Sequence, residues 1–147
     1  MAQRQPTAEE RARLKELWGY TDEEIKSLTP KHWHFFNRGS KFDEYRLVAE
    51  VIESKNCLGG AKVGDRYVFH ASGFFLPHES TIRRPCLWAM APMLPFSYMV
   101  YDRIALDVDP TSLSIDHIRC PDTTVKYGGY GEVVFKLYCE KSPPRSK

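Results

Sequence analysis

At Tyr45 the apolar pattern of this chain changes period, and no other feature restricts the fold as much. Upstream, Leu14, Leu17 and Trp18 form a helical stripe that Gly19 ends, and Ile25 and Leu28 mark a second short helix. Downstream, Tyr45, Leu47, Ala49 and Val51 alternate with Arg46, Val48, Glu50 and Ile52, the two-residue repeat of a strand whose second face is also partly apolar. Helices grouped before strands predict an α+β fold. The expected form is an N-terminal helical arm, then a small mainly antiparallel sheet or partly closed barrel with one proline-broken helix across it.

The helix starts are written in the arm itself. Thr7 with Glu10, and Thr21 with Glu24, have capping-box spacing, in which each side chain satisfies an orphan amide of the first turn. Thr29 before Pro30 reads as N-cap and first helical position of a third helix, KHWHFFNRG, stopping at Gly39. The division is a helical arm over 1–40, an α+β domain over 41–140 and a flexible tail over 141–147. The arm's apolar faces are narrow, too small for a core of their own, so the arm is expected to pack on the rest of the chain or on another subunit.

Later strands are expected at Tyr67 and Phe69, at Ile104, Leu106 and Val108, and at Val133, Phe135, Leu137 and Cys139. Between them lies the most apolar run, RPCLWAMAPMLPFSYMV, from Arg84 to Val100. It is too short to cross a bilayer, and Pro92 lacks the amide that the carbonyl of Trp88 needs, so a helix begun after Pro85 breaks near Ala91 and an irregular stretch follows. Gly128 to Gly131, GGYG, precede a strand rather than a helix. That loop is a hairpin connection, not a phosphate cradle.

At 147 residues the chain has the size of one domain. Its 21 Lys and Arg against 19 Asp and Glu leave +2, with both signs interspersed, which argues against nucleic acid as a partner. The first twenty residues carry no apolar core of a secretory signal, and a cytoplasmic location is expected, with the four cysteines held as reduced thiols.

Those thiols are the strongest candidates for chemistry. Cys57, Cys86, Cys120 and Cys139 lack C-x2-C spacing, so any metal centre, of zinc or iron for instance, must be assembled by tertiary folding. Cys139 shares parity with Val133, Phe135 and Leu137 and reads as core. Cys57, Cys86 and Cys120 lie beside turn-forming or helix-starting residues and are the candidate metal ligands. Cys86 follows Arg83, Arg84 and Pro85, where positive charge favours a thiolate. His78 with Glu79, in the loop FFLPHES, supplies a candidate base, giving Cys86, His78 and Glu79 as a catalytic alternative. Trp88, Phe75, Tyr98 and Arg84 are the candidate ligand-binding wall. His32 and His34 diverge on a helix and are not a metal pair. No Ser-His-Asp, P-loop, HExxH or dinucleotide fingerprint is present.

The segments KNC at 55–57, KVGD at 62–65, PCLWA at 85–89, CPD at 120–122 and VVFKL at 133–137 occur in that order. In this, residues from about Tyr45 to Tyr138 resemble a family of small uncharacterised bacterial proteins known by a numbered placeholder. The resemblance implies that Cys57, Cys86 and Cys120 occupy the family's cysteine positions and converge in space; it carries over no reaction. The leading expectation is an accessory or small subunit with an aromatic, cysteine-lined cleft for a metal or small organic ligand, the arm docking on another subunit or a second copy. A free-standing enzyme using Cys86 and His78, and an interaction module without a ligand, are the alternatives.

Overall fold

The computed structural model describes residues 6–144. They fall into a helical unit ending at Gly39 and a second unit from Ser40 onward. In the first, α1 (Ala8–Trp18), α2 (Asp22–Ser27) and α3 (Pro30–Phe36) are each capped as the sequence spacing requires. Thr7 Oγ1 accepts from the Glu10 amide at 3.2 Å while Glu10 Oε2 accepts from the Thr7 amide at 2.9 Å. At α3 a histidine takes the glutamate's part, His32 Nδ1 accepting from the Thr29 amide at 3.0 Å. Gly19 closes α1 in the left-handed conformation at φ 70°.

The expectation that this arm has no core of its own is corrected. Leu14, Ile25, Leu28 and Trp33 form a buried cluster, with Tyr20 and Phe36 packed against it. Three short helices joined by tight connections fold back on one another, so each needs to supply only one or two residues. Trp18 stacks on Phe36 at 5.2 Å, yet it and Leu17 remain more than half exposed.

A short α4 (Gly39–Phe42) leads into four antiparallel strands, β1 (Tyr45–Lys55), β2 (Arg66–His70), β3 (His117–Arg119) and β4 (Glu132–Lys141), in the order β2-β1-β4-β3. The sheet is α+β in class and open, so the partly closed barrel is set aside. Pairing of β1 with β4 runs from Tyr45 opposite Lys141 to Lys55 opposite Glu132, with a slip at Ile52 that makes it a bulge. One face buries Leu47, Ala49 and Val51 against Cys139, Leu137 and Phe135, their partners across the ladder. The other carries polar pairs, Arg66 with Glu140 at 2.6 Å and the Tyr138 hydroxyl donating to Glu50 at 2.9 Å.

The proline-broken segment covers the buried face. α5 (Leu87–Met90), a 3-10 turn at Ala91–Met93 holding Pro92, and α6 (Leu94–Ala105) follow one another. Ala89, Met93, Phe96, Val100 and Ile104 are its buried stripe. Two expectations change here. The stretch after the break is helical, because Pro95 in the first turn of α6 gives up no intrahelical bond. Ile104, Leu106 and Val108 are not a strand: Ile104 continues the stripe of Phe96 and Val100, and only Leu106 and Val108 lie exposed beyond the helix. β3, which the sequence pattern missed, is three residues long and pairs only with β4. Nor does the tail begin at 141. Lys141 closes β4, and the Ser142 amide donates to the Glu44 carbonyl at 2.8 Å; residues 145–147 of that expected tail lie outside the described residues.

No helix among the described residues is long and apolar enough to cross a membrane. Phe135 is fully buried at the centre of the ladder, with the Tyr67 ring edge-on at 5.7 Å. Phe135→Ala is expected to cost about 3–5 kcal/mol, measured as a fall in the urea midpoint without a change in slope.

Candidate functional site

Three of the four thiols meet at one end of the sheet. Cys57 follows the last residues of β1, in a turn where the Gly60 amide donates to its carbonyl at 3.0 Å. Cys120 follows β3, its amide donating to the Val133 carbonyl of β4 at 2.9 Å. Cys86 is the residue before α5. A Cβ on Gly59 would sit 3.6 Å from Cys57 Sγ and 3.8 Å from Cys86 Cβ, so the turn after β1 and the start of α5 are in close approach. Burial pushes the Cys120 thiol up, and Cys86 and Cys57 both add to that rise. All three are half-buried.

The aromatic group in this cluster is Tyr67 of β2. Its phenol is raised by burial first, opposed by the Cys86 backbone amide bonded to it, and raised further by Cys86, Cys57 and Cys120. Tyr67 thus ties the start of α5 to the core face. The sequence pattern had placed Tyr67 only as a strand residue.

The residues expected to form an aromatic wall differ in burial. Trp88 is 57% and Tyr98 66% exposed, and Arg84 is exposed as well. Phe75 is half-buried against Phe69 at 5.5 Å and Tyr67 at 6.4 Å, within the core packing. His78 is exposed, and Glu79 is held by Arg46 at 2.9 Å, which engages the carboxylate that was to orient the histidine. No group of three or more His, Cys, Asp or Glu among the described residues stands in a metal-holding arrangement. Cys57, Cys86 and Cys120 are neighbours rather than a preformed coordination shell.

What builds this end of the sheet is Asp122. Its Oδ1 accepts from the amides of Thr124 at 3.0 Å and Tyr130 at 2.9 Å, and its Oδ2 from Gly131 at 3.2 Å. One carboxylate therefore pins the turn after Cys120 to the loop before β4. The Asp122 amide in turn donates toward the Cys120 thiol, favouring its thiolate against the effect of burial. Gly131 seats the loop on the end of β1: a Cβ there would lie 2.4 Å from the Asn56 carbonyl oxygen, the residue before Cys57. Only glycine permits that approach. The signal available in the sequence was Cys-Pro-Asp, since aspartate in a turn accepts amides from residues ahead of it.

No family model, curated protein or solved structure matches this chain.

Two outcomes test the site's geometry. The three amides, Tyr130's foremost, hold Asp122 below the ordinary carboxylate value of 3.8. Its stabilising contribution is therefore present above that value and lost as pH falls through the lowered one. The gap in urea midpoint between the protein and Asp122→Asn should be widest at neutral pH and close under acid. Cys139, buried on β4, has its thiol pushed up to about 12. Alkylation of the reduced native protein, read by peptide mass spectrometry, should modify Cys57, Cys86 and Cys120 and spare Cys139 until the chain unfolds.

Proposed function

We propose that this protein is a small accessory binding protein whose working element is the trio Cys57, Cys86 and Cys120, and that it takes a thiophilic metal ion such as zinc. The observation that carries this reading is that three thiols separated by 28 residues and more in the chain are gathered beside one buried tyrosine, and are each held by a different turn. Soft thiolates are strong ligands for such ions. Burial raises the Cys120 thiol, and the amide of Asp122 directed at it offsets part of that rise, as hydrogen bonds around a metal-bound sulfur do. Metal binding would turn the sulfurs toward one point by rotation about their Cα–Cβ bonds and release protons in doing so. A fourth position would be left for water or a ligand, as in sites that act on what they bind.

Glu79, spent on Arg46, argues against the alternative of a Cys86 nucleophile served by a His78–Glu79 pair. The accessory role belongs to the same proposal: Leu17 and Trp18 leave apolar surface on the helical unit that another subunit would cover.

Titration of the reduced protein with Co(II) or Cd(II) tests the centre. One equivalent should bind with a thiolate charge-transfer band in the near ultraviolet. Cys57→Ser, Cys86→Ser and Cys120→Ser should each weaken binding by about 10–100-fold, while Cys139→Ser keeps it. Absence of the band, or a Cys120→Ser variant that binds as well as the parent, contradicts the reading.

A further inference from the structure

The same end of the sheet holds a cavity of about 300 Å³ that the thiols do not account for. Its walls include Lys55 and Asn56 from the end of β1, Arg119 from β3, Thr124 and Lys126 from the loop pinned by Asp122, and Glu132 from the start of β4. The charges are unevenly used. Arg119 pairs with Glu132. Lys126 lies over the Tyr127 ring at 5.0 Å, and neither it nor Lys55 has a carboxylate partner among the described residues. Lys55 and Lys126 thus line a cavity whose one lining carboxylate, Glu132, is already engaged by Arg119, so its described lining carries a net positive charge.

The backbone adds an independent observation. Among the described residues three non-glycine residues have positive φ, and two of them, Asn56 at 51° and Thr124 at 66°, line this cavity. Thr124 combines that φ with ψ 166°, a region that glycine alone enters freely, so a β-branched side chain is strained there. The Asp122 amide bonds and the Gly131 seat hold that strained loop in place. A rigid wall, a volume at the lower end of small-molecule sites and unneutralised positive charge are what an anion site requires.

We propose that this cavity binds a small oxyanion, the phosphate or carboxylate group of an organic ligand, through Lys55 and Lys126, with the Arg119–Glu132 pair as its charged rim. Lys55 and Asn56 lead directly into Cys57, and Arg119 into Cys120, so the oxyanion site and the thiols share the same turns. The inference does not depend on a metal at the thiols.

Isothermal titration of the reduced, metal-free full chain at low ionic strength, with inorganic phosphate in one arm and malonate in the other, tests it. Saturable binding of either is expected, and the tighter one names the source of the oxyanion. Lys55→Ala and Lys126→Ala are exposed changes that should leave the fold intact by circular dichroism. Each should weaken binding about tenfold, in line with one charge contact of about 1.4 kcal/mol, and the pair should abolish it. Cys57→Ser should bind the anion as the parent does, which separates this site from the thiol reading. No saturable binding of either anion, or equal binding by the Lys55→Ala/Lys126→Ala variant, overturns the proposal.

Discussion

The pairing of β1 with β4 is the constraint on which the remainder of the α+β unit rests. It joins residues 77 to 96 apart in the chain, and it does so over nearly the full length of both strands. Closing so long a loop costs conformational entropy, and the buried ladder of Leu47, Ala49 and Val51 against Cys139, Leu137 and Phe135 is what offsets it. Once those strands are in register, β2 and β3 can attach only at the two free edges, and the turn that follows β1 is fixed next to the loop that precedes β4. Cys57 and the GGYG loop become neighbours as a consequence.

A second, local constraint converts that proximity into a shaped site. An aspartate carboxylate that accepts three amides is a strong organiser because charge-assisted bonds are roughly twice as strong as neutral ones. Asp122 uses them to fold the segment after Cys120 against Gly131, and Gly131 rests on Asn56 without room for a side chain. The bulge at Ile52 lies just upstream, where bulges commonly re-aim a strand end next to a functional site. Thiols, tyrosine and cavity are therefore the product of one strand pair, one carboxylate and one glycine.

Much of the fold was legible because its signals are local. Thr7, Thr21 and Thr29 announce three helices through the amides their side chains or neighbours satisfy, and the alternation at Tyr45 and at Val133 gives two strands without ambiguity. The errors fell where a pattern was short. Ile104, Leu106 and Val108 satisfy a two-residue repeat and the end of a helical stripe equally well until Phe96 and Val100 are seen to share the stripe. β3 is too short to have a pattern at all. The arm's small core leaves no pattern in the sequence, because a cluster drawn from three helices has no period in any one of them. At the site, the thiols could be singled out by type, but Tyr67 looked like any strand residue, and the aromatics expected to surround the thiols proved to be surface, as for Trp88 and Tyr98, or core, as for Phe75.

By itself the sequence determined the starts of the arm's three helices, the α+β class, the break at Pro92 and the burial of Cys139, because caps, periods and missing amides act within a few residues of one another. Only the tertiary structure decided that the apolar run refolds into a helix over the sheet, that Tyr67 faces the thiols, and that Asp122, Gly131 and Asn56 bind three distant segments into one end of the molecule. Those outcomes depend on contacts between residues far apart in the chain, and spacing along a chain carries no measure of distance across a fold.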